Sequence, residues 1–217
     1  MKELIIGNKN YSSWSLRPWL LMVEAGLEFR ETRIPLYTEA GTARLRRLSP
    51  SATVPVLVDQ DLKIHDSLAI CEYLHDAGLV RAWPDDRRHR ALARAVVSEM
   101  HSGFFAVRSE LPMNCRRRYG RFPLSPAAAR EVERLQQILA GCLEQNPAAG
   151  PWLFGTFSVA DCFFAPVLLR FCTYGIPLTG AAGDWGSALL ALPGMERWLA
   201  EAAGETEVIA ACEFDRE

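Results

Sequence analysis

The sequence predicts two structural units, an α/β domain built on a mixed four-stranded sheet followed by an all-α helical bundle. Three observations carry this expectation. Strand-like and helix-like stretches alternate through residue 80 in the order βαβαββα. Strand signals vanish beyond Gly78, and helical patterns rich in Ala, Leu, Arg and Glu follow at 87–111, 126–145, 158–172 and 186–202. Between the two regimes, Trp83-Pro84-Asp85-Asp86 reads as a linker that caps the next helix. The expected domains are therefore 1–80 and 87–217, with no internal repeat and no low-complexity tract.

Each element has a local reason. Leu4–Gly7 is a short apolar strand. Over Ser15–Ala25, Leu16, Trp19, Leu20 and Val23 recur at helical spacing. Gly26 closes that helix, and Pro18 fits its first turn, where a missing N–H costs little. Phe29–Ile34 reads as a strand, and Thr42–Leu48 as a short basic helix closed by Ser49-Pro50. Val54-Pro55, expected to be cis, opens the apolar run Val56-Leu57-Val58. An Asp59-Gln60-Asp61 turn leads to a second strand. Asp66-Ser67 then stands at a helix start, because Leu68, Ile70, Cys71 and Leu74 recur at helical spacing. In the second unit, Ser158 and Asp161 form a capping-box variant, so Asp161 is read as a folding residue and not a catalytic acid. Pro166 predicts a bend in that helix.

Composition narrows the function. A chain of 217 residues with 49% hydrophobic and 23% charged residues is an ordinary globular protein with room for two cores. A net charge of −2 argues against nucleic acid or a membrane surface as the main partner. No apolar run is long enough to span a membrane, and Leu4-Ile5-Ile6 is too short for a signal peptide. The six cysteines are scattered, with no C-x-x-C and no metal-type spacing. A reduced, cytoplasmic protein without a metal site is the expectation.

Candidate chemistry sits at two helix starts. Asp66 and Ser67 stand where free backbone N–H groups and a positive dipole end favour a carboxylate, although such a pair also serves for capping alone. Ser12, Ser13 and Ser15 precede the first helix; they read either as N-caps or as hydroxyls that favour a thiolate there. The order of Val54-Pro55, hairpin and Asp66-Ser67-x-Ala69-Ile70-x-x-Tyr73-Leu74 resembles the glutathione-binding half of the cytosolic glutathione transferases. The division into two units extends that resemblance to essentially the whole chain.

The resemblance implies a thioredoxin-like first domain that takes glutathione as co-substrate. The backbone of Val54, before Pro55, would pair with the cysteinyl part, Asp66 would take the γ-glutamyl ammonium, and Ser67 the γ-glutamyl carboxylate. Ser12-Ser13-Trp14-Ser15-Leu16-Arg17 resembles the zeta-class signature Ser-Ser-Cys-Ser-Trp before an arginine. Ser12 is accordingly the first candidate to stabilise the thiolate, with Ser13 in support, Trp14 beside the tripeptide and Tyr11 a competitor. Trp14 occupies the place of the zeta-class cysteine, and no cysteine precedes Cys71, so no protein thiol is expected to form a mixed disulfide.

In the second domain the resemblance implies that the helix through 99–108 lines the acceptor pocket and a dimer interface, with Phe104 and Arg108 as pocket candidates. Phe and Met at this spacing also read as core. His101 has no partner visible in sequence, and Arg116-Arg117-Arg118 with Arg121 form a loop that is either solvated or recruits an anion. The implied function is a homodimeric glutathione transferase that activates the thiol for attack on a small-molecule electrophile. The alternatives are a glutathione-dependent cis–trans isomerase of the maleylacetoacetate or maleylpyruvate type, and a non-catalytic binding protein of the same fold.

Overall fold

The computed structural model describes residues 1–145 and 150–214. The first unit runs β1 (Lys2–Ile6), α1 (Ser13–Glu24), β2 (Phe29–Arg33), α2 (Glu39–Leu48), β3 (Val56–Asp59), β4 (Leu62–His65) and α3 (Ser67–Asp76). Its sheet has the order β2-β1-β3-β4, with β1 parallel to β2 and the β1–β3 and β3–β4 pairs antiparallel. This is the thioredoxin-like arrangement the pattern predicted, and Val54–Pro55 is cis. Alternation along β1 divides the packing between two faces. Leu4 and Ile6 join the main core with α1 and α3, while Ile5 joins Ile34, Leu45 and Val56 on the other side.

The helical unit comprises α4 (Arg87–Ser102), α5 (Phe105–Glu110), α6 (Pro126–Glu144), α7 (Val159–Tyr174), α8 (Gly180–Leu190) and α9 (Pro193–Ala203), followed by a single 3-10 turn at Ala210–Cys212. Two of these pairs correct the expected boundaries. The helix expected over 87–111 breaks at Gly103 and Phe104, the latter left-handed at φ 62°. The Arg108 guanidinium compensates, donating to the carbonyls of Met100 and Gly103 that the break leaves free. The helix expected over 186–202 is two helices, because Pro193 lacks an N–H and holds Leu192 extended before a new first turn. α2 begins earlier than expected, since the Thr38 hydroxyl accepts from Gly41 N–H and caps it. α7 continues as one helix through Pro166.

The two units share one core. α1 packs on α7, and the cluster runs from Leu4 through Trp19 to Trp198 without a gap. A buried polar bolt reinforces it. Lys9 stacks over Trp19 and Trp198 and pairs with Glu31 and Glu201. The Glu205 carboxylate accepts from the backbone N–H of Lys9 at 2.7 Å and of Asn10 at 3.0 Å. The loop that enters α1 is thereby held from both units.

Candidate active site

A cavity of about 660 Å³ opens between four segments of the first unit and the C-terminal tail. The β1–α1 loop contributes Tyr11, Ser12 and Trp14, the segment before β3 contributes Thr53, Val54 and Pro55, and the start of α3 contributes Asp66 and Ser67. Leu36 and Tyr37 stand at its side before α2. Two helix N-termini thus meet one cavity, both favourable to negative charge.

Ser12 is the N-cap of α1. Gly7 N–H donates to Ser15 Oγ at 3.1 Å, and Ser15 Oγ lies 2.7 Å from Ser12 Oγ. When Ser15 donates to Ser12, the Ser12 proton is free to point into the cavity, and the chain of bonds polarises it. Ser13 is turned elsewhere. Its hydroxyl accepts from Arg170 Nη2 on α7 at 3.3 Å, and it does not line the cavity. Tyr11 lines the cavity, yet its hydroxyl is spent: it donates to Glu213 Oε1 at 2.7 Å and accepts from Arg116 Nη2 at 2.9 Å. Burial, with the Glu213 bond in support, pushes the Tyr11 phenol up from its ordinary value and keeps it protonated.

Asp66 adopts φ 78° and ψ 148°, a backbone conformation costly for a side-chain-bearing residue. Its Oδ1 accepts from Leu68 N–H at 2.7 Å, which caps α3. Ser67, buried beside it, accepts from Arg17 Nη1 at 3.3 Å.

The helical unit supplies what sequence reasoning left unpaired. His101 Nε2 lies 3.2 Å from Asp66 Oδ2, and His101 Nδ1 lies 3.5 Å from Arg17 Nη1. Burial, opposed by Asp66 and reinforced by Arg17 and Arg108, pulls the His101 imidazole below its ordinary value, so it is neutral near pH 7. Among the described residues, no group of three or more His, Cys, Asp or Glu side chains is placed to hold a metal.

The fold and this geometry are matched by two family models. That for the N-terminal domain of glutathione S-transferases matches residues 11–77, and that for the C-terminal domain matches 125–201. The chain belongs to the glutathione S-transferase family.

Among its relatives is a stringent starvation protein A homolog of Haemophilus ducreyi, 26% identical over 140 residues. The alignment spans 63% of this chain and 60% of that protein, less than two thirds of its length. A probable maleylacetoacetate isomerase of Caenorhabditis elegans is 34% identical over 92 residues, 42% of each chain. In fold, the chain is similar to the crystal structure of a Burkholderia glutathione transferase homolog with bound glutathione. That comparison has a TM-score of 0.71 at 22% identity and covers 93% of this chain and 97% of that one.

In this glutathione S-transferase chain, Trp14 lies between two guanidiniums, Arg17 at 4.2 Å and Arg108 at 4.8 Å from ring centroids. His101 meets it edge-on at 5.3 Å. Arg108 caps α4 and stacks on Trp14, and Phe104 is buried at the helix break; neither lines this cavity. Cys212 of the tail lines the cavity, and burial raises that thiol and keeps it protonated. The basic loop neither floats free nor faces the cavity. Arg116 donates to the carbonyls of Glu205 and Glu207, and Arg117 pairs with Glu213 at 2.7 Å, so both tie down the tail.

His101, Arg17 and Cys212 were missed as site residues because their partners lie far off in the chain. Only the arginine after the serine run left a trace in the motif.

Proposed function

We propose that this chain is a glutathione transferase of the serine type, closest to the zeta class, in which Ser12 donates a hydrogen bond to the glutathione thiolate. The observation that supports this most is that Ser12, Val54–Pro55 and Asp66–Ser67 line one cavity. A γ-glutamyl tripeptide carries a thiol, an ammonium and two carboxylates, and the cavity offers a complement to each end. The thiol lies at the α1 N-terminus by Ser12, with Trp14 alongside. The cysteinyl amides pair with the exposed backbone before Pro55, a miniature strand addition. The γ-glutamyl ammonium meets Asp66, and its carboxylate meets Ser67 at the α3 N-terminus. That the Burkholderia homolog was crystallised with glutathione supports the same ligand here.

Retention on immobilised glutathione followed by turnover of a generic aromatic electrophile tests the reading. Failure to bind glutathione removes it. Turnover of a maleyl-type diketo acid in place of the aromatic electrophile would assign the isomerase, the reading that the C. elegans relative favours. Binding without any turnover would assign the non-catalytic module, which the relatives named for stringent starvation favour, since that name states no reaction.

Ser67→Ala should weaken glutathione binding by roughly 1–3 kcal/mol, the scale of a hydrogen bond to a charged group. The fold should survive, because Asp66 and not Ser67 caps α3, and what is lost at Ser67 is its bond from Arg17. Titration calorimetry on the folded variant checks this, and unchanged affinity takes Ser67 out of the site. The chain also acts as a homodimer in this proposal, a reading that Phe105, 72% exposed on α5, supports. Light scattering at micromolar concentration should give twice the chain mass of 24.2 kDa, and a monomer mass counts against it.

A further inference from the structure

The geometry points to His101 as a positioning residue that aims the Asp66 carboxylate at the α-ammonium of the γ-glutamyl group. This rests on the glutathione reading above and adds to it a residue from the second domain. The inference begins with the tautomer. Arg17 Nη1 has only protons to offer, so His101 Nδ1, 3.5 Å away, is the acceptor. The imidazole proton then resides on Nε2 and is donated to Asp66 Oδ2 at 3.2 Å. The order Arg17, His101, Asp66 is a directed relay from α1 through α4 to the start of α3.

The relay fixes the carboxylate at both ends. Oδ1 is held by Leu68 N–H at 2.7 Å and Oδ2 by His101. Each carboxylate oxygen accepts about two hydrogen bonds, so each keeps one free position for an incoming ammonium. Without His101 the side chain is tethered at Oδ1 alone and turns about its last torsion, which is broad for an aspartate.

Neutrality of the imidazole is the second part. A protonated His101 would cancel the Asp66 charge and compete with the ammonium. The groups that face it are Asp66 from the start of α3, Arg17 from α1 and Arg108 from α5, together with the rings of Trp14 and Phe163. Two guanidiniums and burial outweigh one half-buried carboxylate, so the imidazole puts no positive charge beside Asp66. Arg17 is wholly buried between the rings of Trp14 and Phe163, at 4.2 Å and 4.6 Å, and its Nε and Nη2 have no partner among the described residues. A buried cation so poorly paired does little for stability, and its one directed use is toward Ser67 and His101.

The test compares two ligands on three proteins by titration calorimetry, with circular dichroism as the check on folding. The ligands are glutathione and glutaryl-cysteinylglycine, which keeps the terminal carboxylate and lacks the α-ammonium. Wild type should bind glutathione more tightly than the analogue. His101→Ala should lower affinity for glutathione roughly tenfold, the size of one charge-assisted hydrogen bond, and leave the analogue's affinity unchanged. His101→Gln, which restores a donor at similar reach, should recover most of the loss. In turnover the Ala variant should raise KM for glutathione with kcat unchanged. Equal loss for both ligands, or no loss for glutathione, overturns the role of His101 while the glutathione reading stands. Failure of wild type to bind glutathione at all is the separate result that removes that reading and this inference with it.

Discussion

Ser12→Ala should cut turnover at neutral pH by roughly ten- to a hundredfold and move the pH of half-maximal turnover upward. A cysteine-type thiol ionises near pKa ~8.5, so only a small fraction is nucleophilic at neutral pH unless the protein favours the anion. The α1 N-terminus and the Ser12 hydroxyl are the means within reach of the cavity. A charge-assisted hydrogen bond contributes about 1.5–3 kcal/mol, which corresponds to one to two pKa units on the bound thiol. Removing it returns the thiol toward its free value, so the profile shifts to the alkaline side. Glutathione affinity should change far less, because most of the contacts proposed for the tripeptide lie at Val54, Asp66 and Ser67. Ser13→Ala and Tyr11→Phe are the controls, and both should keep the wild-type profile, since their hydroxyls are engaged by Arg170 and by Glu213 with Arg116. A Ser12→Ala profile identical to wild type would take the role away from Ser12.

Asp161→Ala should destabilise the chain by at least about 3 kcal/mol, with loss of the fold at moderate urea. The carboxylate is fully buried and accepts from Leu153 N–H at 3.1 Å, Ser158 N–H at 2.9 Å and Trp185 Nε1 at 3.0 Å. Alanine leaves those three donors buried without a partner, each at about 1–3 kcal/mol. The effect is on folding, so glutathione affinity per folded molecule should be unchanged. Burial pushes the Asp161 carboxyl up to about 6 from an ordinary 3.8, against the pull of its donors. Between those values the folded chain holds more of the proton than the unfolded one. The group's favourable contribution is therefore full below the unfolded pKa and lost as pH rises through the folded one. Asp161→Asn lacks this titration, so the stability gap to wild type should narrow from pH 4 to pH 7, by up to about 3 kcal/mol. Urea unfolding across that range measures it, and a gap that widens with pH would contradict the buried titration.

Much of the fold was legible because its signals are local. The capping serine and aspartate at Ser158 and Asp161, the glycine after α1 and the Asp66-Ser67 start each specify a backbone state within a few residues. Where reading failed, two kinds of reason apply. The split between α8 and α9 had a local signal in Leu192-Pro193-Gly194, outweighed by the apolar periodicity on either side. The break at Gly103 and Phe104 is weak in sequence, since a single glycine is tolerated in a helix. It is stabilised by the Arg108 side chain, five residues beyond Gly103 and folded back onto the open carbonyls.

The sequence alone determined the βαβαββα order of the first unit, the two-part division and the presence of Ser12, Pro55, Asp66 and Ser67 at element boundaries, because propensity, capping and periodicity act over a few bonds. Which hydroxyl is free was decided only by tertiary structure. Ser12, Ser13 and Tyr11 stand side by side in the chain, and only the approach of Arg170 from α7 and of Glu213 from the tail separates them. The same holds for the pairing of His101 with Asp66 and for the arrival of Cys212 at the cavity wall. These contacts join positions far apart in sequence, and no periodicity encodes them. They follow from the shared core that seats α1 against α7, so the packing of the two units selects which polar groups remain available for chemistry.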